Sequence, residues 1–202
     1  LIADVGIIGY PNCGKSTLLA ASSAARPKIA DYPFTTLEPV LGVVEVGGRP
    51  LVLAEIPGLI EGAHLGRGLG HDFLRHIART RVLIHLVDGS SAAPAEDVAL
   101  VNAELGLFDA TLARKPQLVA VNKIDQPQVR SMITDIISSF SAVGTSPRFI
   151  SAVTGEGVDE LMAETLKMLD RAQVNQGADE KAGGRVFRPL PRGSDSCVHK
   201  DG

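Results

Sequence analysis

Lys15 and Ser16 close the run GYPNCGKST, Gly9 to Thr17, in which Gly9, Gly14, Lys15 and Ser16 fit the spacing G-x-x-x-x-G-K-[ST]. A run of this kind suits one chemistry. Glycines let consecutive backbone N–H groups face a polyphosphate, a lysine reaches the outer phosphates, and a serine hydroxyl ligates magnesium. The pattern has force only between a strand and a helix. DVGIIG before it is an apolar strand-like run and GKSTLLAASSAA after it reads as a helix, so a phosphate site is expected with Asn12, Cys13, Gly14, Lys15, Ser16 and Thr17 around the anion.

The base is chosen elsewhere. NKID, Asn122 to Asp125, follows a strand-like run, and the Asp125 carboxylate can accept two hydrogen bonds from the N1 and N2 donors of guanine, which adenine cannot supply. A buried carboxylate left unmatched is costly, so GTP is expected over ATP. Asn122 is expected to brace the loop and the stem of Lys123 to cover the purine. SAVTGEG follows the next strand, where Ser151, the Ala152 backbone and Val153 would close the pocket.

Two segments between these motifs would sense the third phosphate. DYPFTTLEP contains Phe34, Thr35 and Thr36; Thr36 is taken as the second hydroxyl ligand of magnesium beside Ser16, with Thr35 the alternative. EIPGLIEGAHLGRGLG offers Glu55 to the magnesium shell and the Gly58 N–H to the γ-phosphate. Its Gly58, Gly62, Gly66, Gly68 and Gly70 make a loop that costs much entropy to order. Ordering by ligand is what a switch requires.

The elements that must position these residues alternate strand and helix. DVGIIG, GVVEVG, PLVLAEI, RVLIHLVD, PQLVAVN and PRFIS read as strands. GKSTLLAASSAA, DFLRHIART, PAEDVALVNAELGLF, QPQVRSMITDIISSF and GVDELMAETLKMLDRA read as helices. Gly47-Gly48 signals a hairpin and hence one antiparallel strand. With 202 residues, 45% of them hydrophobic, the chain can bury the core of one α/β domain, read as residues 1–172. The periodicity stops after Ala172. Residues 173–202 are read as a linker and the truncated start of a further domain, without fixed order.

Composition removes several function classes. A net charge of -3 gives no basic field to draw the domain onto nucleic acid or anionic membrane. No apolar run approaches the roughly 18 residues of a membrane span, and no signal peptide is evident, so a soluble cytoplasmic protein is expected. A monomer is a working expectation, drawn from no motif. Cys13 and Cys197 lack the spacing of a disulfide framework. His71 and His76 are five apart and do not share a helix face, while His64 lies in a loop and His85 in a strand; structural roles are expected for the histidines rather than metal binding.

Together GYPNCGKSTLL, DYPFTTLEP, EIPGLIEGAHLGRGLGHDFLRHI, NKID and SAVTGEG resemble the GTP-binding domain of the Obg family, GTPases that act in large ribosomal subunit assembly. The likeness covers Leu1 to Ala172. It implies a P-loop NTPase fold, a Ras-like G domain with a six-stranded, mostly parallel sheet flanked by helices. It also implies a Mg2+-dependent GTP/GDP switch whose contact with the large subunit or its rRNA runs through domains outside this chain. Two residues depart from the family pattern. Glu55 stands where an aspartate is usual, and Cys13 replaces a common alanine; its thiol is expected to pack under the loop. Leu59 occupies the place where Ras-like relatives carry a water-orienting glutamine, so intrinsic hydrolysis is expected to be slow. Catalysis is assigned to Lys15, Thr36, Gly58 and Asn12, whose side-chain oxygen would help hold K+ where an arginine finger's charge would otherwise lie; Arg67 and Arg75 are alternatives. A sensor of GTP, GDP or ppGpp whose hydrolysis is incidental is the second reading. A P-loop kinase is third, since NKID would have no use there.

Overall fold

The computed structural model describes residues 3–24, 26–29, 40–55, 80–108 and 110–183. In chain order the elements are β1 (Val5–Ile8), α1 (Lys15–Ser22), β2 (Lys28–Ile29), β3 (Val40–Val46), β4 (Arg49–Glu55), β5 (Val82–Asp88), α2 (Pro94–Phe108), α3 (Ala110–Ala113), β6 (Gln117–Asn122), α4 (Pro127–Ser131), α5 (Ile133–Ala142), β7 (Arg148–Phe149) and α6 (Val158–Gly183). The strands form one sheet in the order β2-β3-β4-β1-β5-β6-β7. β3 is antiparallel to β4, and the sheet from β4 through β7 is parallel.

Strand sequence follows position in this sheet. β1 is buried at every residue, and β5 from Val82 to Val87, because helices cover both faces of a parallel centre. β3 alternates buried Gly42 and Val44 with exposed Val43 and Glu45, the signature of a strand covered on one face. Gly47 and Gly48 both take positive φ, 57° and 77°, as a two-residue hairpin turn that matches strand twist requires.

The core lies in two layers. Val5, Ile7, Ile84 and Leu86 pack with Leu18 and Leu19 of α1 and with Leu161, Met162 and Leu169 of α6. Ile8 and Leu83 face Val101 and Leu105 of α2, and Val87, Val119 and Val121 face Ile136 and Phe140 of α5. Odd and even positions of β1 therefore serve opposite faces, as strand periodicity demands.

All six strands expected from sequence are present, and β2 is added at the edge, two residues paired as Lys28↔Leu41 and Ile29↔Val40. The helix expected over QPQVRSMITDIISSF is two helices. At Met132 the N–H bonds the Val129 carbonyl, three residues back, and the Ser131 hydroxyl takes the Gln128 carbonyl at 2.8 Å, so the turn tightens and the axis breaks. The closing helix continues past Ala172 to Gly183. Residues 173–183 lack an apolar stripe but include alanine, glutamine, glutamate and lysine, which favour helix without tertiary contacts. The helix expected at DFLRHIART lies outside the described residues except for Thr80.

His85 is 1% exposed in the middle of β5, and its Nδ1 has no hydrogen-bond partner among the described residues. Burial holds its pKa down to about 4, against the pull of a hydrogen bond with Gln117. The unfolded chain binds a proton near pH 6.5 and the native one does not. Stability is therefore expected to fall as pH drops below 6.5 and to lose about 3 kcal/mol by pH 4. Urea unfolding of wild type and His85→Gln across that window tests this. The variant should lose the slope above pH 5, and an identical slope would place the acid sensitivity in other groups.

Candidate functional site

The carboxyl ends of β1, β4, β5 and β6 meet along one edge of the sheet. Register sets Ile7 beside Glu55, Ile8 beside His85, and Asp88 beside Asn122, so the loops leaving these strands are neighbours. The chain builds the sheet on one side of β1 and then crosses to β5 on the other. The crevice outside the strand ends at such a reversal is where open α/β sheets take ligands.

The loop from Gly9 to Gly14 is shaped by what lies beneath it. Gly9 has φ 145°, and a Cβ there would strike the Leu86 carbonyl oxygen. Gly14 has φ 102° at the N-cap of α1, and its Cβ would strike Asn122 Nδ2. Both places exclude a side chain. Asn12 is exposed and left-handed at φ 61°. Cys13 is fully buried under the loop; burial pushes its thiol pKa up, and the Lys15 ammonium offsets only part of that. It is a packing residue rather than an activated thiol. Lys15 Nζ donates to the Gly9 carbonyl at 3.0 Å and the Tyr10 carbonyl at 2.9 Å. Ser16 Oγ donates to Glu55 Oε1 at 3.0 Å, while Thr17 is exposed on α1.

Asn122, 3% exposed, joins three loops. Its Nδ2 donates to the Cys13 carbonyl at 2.8 Å, and its Oδ1 accepts from the Ala152 N–H at 2.9 Å. The Ala152 N–H, part of the backbone expected to close the pocket, is thus engaged by Asn122. Ser151 is fully buried; its hydroxyl donates to Asp125 Oδ1 at 2.7 Å and accepts from the Thr154 N–H at 3.1 Å. Val153 stands 75% exposed beside them.

Lys123 is left-handed at φ 72°, and its Nζ lies 2.5 Å from Asp88 Oδ2. Asp88 was not singled out from the sequence. The only signal for it is a carboxylate ending an apolar strand immediately before a glycine. Its other oxygen accepts from Ser90 N at 2.9 Å and Ser90 Oγ at 2.6 Å. Burial raises the Asp88 pKa, but the hydrogen bonds from Lys123 and Ser90 and the Lys123 charge together outweigh it and leave the carboxyl below its ordinary range. Gly89 lets this strand end approach β6: its N–H donates to the Asn122 carbonyl at 3.0 Å, and a Cβ would lie 2.6 Å from that oxygen.

Phe34, Thr35, Thr36, Gly58, Leu59, Arg67, Arg75, His64, His71, His76 and Cys197 lie outside the described residues. Among the described residues no cluster of histidine, cysteine, aspartate and glutamate is arranged to hold a metal ion, and no helix is long and apolar enough to cross a membrane.

A glycine-bracketed loop opening a helix at the reversal point of a mostly parallel sheet defines a P-loop nucleotide-binding domain. The family described as 50S ribosome-binding GTPase matches residues 4–123, and the chain belongs to that family. The chain is 54% identical over 196 residues to a protein named GTPase Obg from Dehalococcoides mccartyi, covering 96% of this chain and 46% of that protein. The GTPase Obg of Anaeromyxobacter dehalogenans is 52% identical over 198 residues, 95% of this chain and 55% of that one. The Obg resemblance is thereby borne out. The chain spans about half the length of these relatives. Among solved structures, the G domain of the Thermotoga maritima FeoB iron transporter superposes with TM-score 0.60 at 23% identity, over 83% of this chain and 99% of that one. Aquifex aeolicus Era bound to GDP.AlF4- superposes with TM-score 0.56 at 27% identity, over 81% and 56%. The expected G-domain fold is confirmed.

Proposed function

We propose that this chain is a magnesium-dependent guanine-nucleotide switch that binds GTP and GDP and hydrolyses GTP slowly, in the service of large ribosomal subunit assembly. The observation that carries the reading is the Asn122 bracket. One buried amide ties the phosphate loop to the loop bearing Asp125 and to the loop bearing Ser151, so phosphate and base recognition are built as one unit. Asp125, oriented by Ser151, would accept from the N1 and N2 donors of guanine. Asn12, Cys13, Gly14, Lys15, Ser16 and Thr17 would surround the phosphates.

The residues at the loop mouth fit magnesium. The Ser16 hydroxyl and Glu55 carboxylate are hard oxygen donors 3.0 Å apart, the class this cation takes. Magnesium, when bound, supplies charge that offsets charge developing on the outer phosphates. Ser16 would hold it directly and Thr36 from the segment 31–38 would be the second hydroxyl. The extra methylene of Glu55 lets its carboxylate reach Ser16 and orient that hydroxyl. Phe34 and Thr35 flank Thr36, and Gly58 would offer its N–H to the γ-phosphate. The family's description supports a ribosomal partner, reached through parts of the longer protein, and a cytoplasmic location is proposed with that partner.

The test is multiple-turnover phosphate release from GTP, with and without large ribosomal particles, in potassium and in sodium at equal ionic strength. Slow basal turnover, faster with particles and in potassium, is expected. Asn12→Ala should abolish the potassium advantage and leave GTP binding largely intact. Equal rates in both salts would reduce Asn12 to a loop residue. Release no faster than that of a Lys15→Ala variant would overturn hydrolysis and leave a sensor of GTP, GDP or ppGpp.

A further inference from the structure

Asp125 and Ser151 lie on loops that leave different strands, β6 and β7. One side chain touches both loops. Arg130, in α4, donates from Nε to the Ile124 carbonyl at 3.0 Å and from Nη2 to Glu156 Oε2 at 2.5 Å. The Glu156 carbonyl accepts the Ser151 N–H at 2.9 Å, and the Ser151 hydroxyl donates to Asp125 Oδ1 at 2.7 Å. Asp125 follows Ile124 in the chain. The contacts therefore close a ring through Ile124, Asp125, Ser151, Glu156 and Arg130.

We propose that Arg130 is a positioning residue for guanine recognition, holding the Asp125 carboxylate in register with Ser151 by tying their two loops together. The inference rests on the reading of Asp125 as the group that meets the base. The ion pair alone would do little, since the side chains of Arg130 and Glu156 are 52% and 50% exposed and water screens them. The ring gains its hold from the second contact, a charged donor on a backbone carbonyl one residue before Asp125. A guanidinium presents Nε and Nη2 as a fixed planar fork, so both partners are set by one rigid group. Lysine offers a single point charge on a flexible stem and cannot span the same pair of acceptors in fixed geometry.

The position of a carboxylate matters most for a ligand that engages it twice. Guanine offers two donors to Asp125, whereas hypoxanthine keeps the ring N–H and lacks the exocyclic amine. Loosening the ring is expected to harm GDP more than IDP. Calorimetric titration of the full chain with GDP and IDP, together with GDP release rates, is the test. Arg130→Met should weaken GDP about tenfold, the order of one hydrogen bond to guanine lost as the Asp125 carboxylate shifts, chiefly through faster release. IDP should weaken less, so that the preference for GDP narrows, beside the loss of unfolding free energy that deleting a native hydrogen bond entails. Glu156→Gln should give a smaller loss in the same direction, and Arg130→Lys should not restore the preference. Wild-type GDP affinity and preference in Arg130→Met would overturn the proposal. Equal weakening of both nucleotides would also overturn it, assigning Arg130 to general stability. Asp125→Asn, measured beside these with GDP and XDP, separates the two ideas. If that variant keeps its preference for GDP, the assignment of the base to Asp125 fails, and the role of Arg130 fails with it.

Discussion

Asp125→Asn is expected to turn the base preference of this chain from guanine towards xanthine. The direction follows from which oxygen of Asp125 is already occupied. Oδ1 accepts the Ser151 hydroxyl at 2.7 Å, and the oxygen of that hydroxyl accepts the Thr154 N–H at 3.1 Å, so a carbonyl facing Ser151 keeps both bonds as they stand. An asparagine in this place keeps its carbonyl towards Ser151 and turns its NH2 to the side where the carboxylate had a second oxygen. Guanine brings donors to that side and meets a donor. Xanthine brings a carbonyl at C2 and is matched. The loss for GTP is expected to be about 3 kcal/mol, roughly a hundredfold, typical of a broken charged hydrogen-bond pair. Parallel titrations with GTP and XTP measure it, and unchanged GTP affinity would remove Asp125 from the site.

Asn122→Ala is expected to lower both stability and nucleotide affinity by large amounts. Alanine removes a buried amide that serves two backbone groups and brings no polar atom in its place. The Cys13 carbonyl and the Ala152 N–H would then be stranded in a dry interior, each costing about 1–3 kcal/mol if water cannot reach it. A fall of about 3 kcal/mol in unfolding free energy is expected, with little change in denaturant slope. Asn122→Asp should be no better, because it sets a carboxylate oxygen against the Cys13 carbonyl. GDP affinity should also drop, since the phosphate loop and the two base loops lose their common anchor. A stability loss under about 1 kcal/mol in Asn122→Ala would mean that the bracket is not what holds them.

What could be read from the sequence was whatever a periodicity or a spacing records. The apolar runs of β1, β5 and β6 are continuous because both faces are covered, and α2 begins at Pro94 and ends at Phe108, the limits its sequence suggested. Gly9, Gly14, Lys15 and Ser16 could be read because their spacing is the chemistry. The two residues of β2 carry no period, and the break at Met132 depends on a serine hydroxyl choosing a carbonyl, a local competition that composition does not reveal. Asp88 and Arg130 escaped for a different reason. Each is paired with a residue distant in the chain, Lys123 for one and Glu156 for the other, and only strand order brings those pairs together. The Ala152 backbone could be placed at the pocket from the sequence, but not the bond from its N–H to Asn122.

The lysine of the phosphate loop also acquires a direction from its surroundings. A lysine ammonium carries three protons and, on a free stem, behaves as a charge that points nowhere in particular. Here the Gly9 and Tyr10 carbonyls accept from it at 3.0 and 2.9 Å, which assigns two of the three protons and leaves one. Folding has already frozen rotamers that a phosphate ligand would otherwise have to freeze on arrival. The ammonium therefore meets an incoming anion as a single aimed donor with a full positive charge behind it. Anions of the right charge but the wrong reach would gain the attraction without the hydrogen bond.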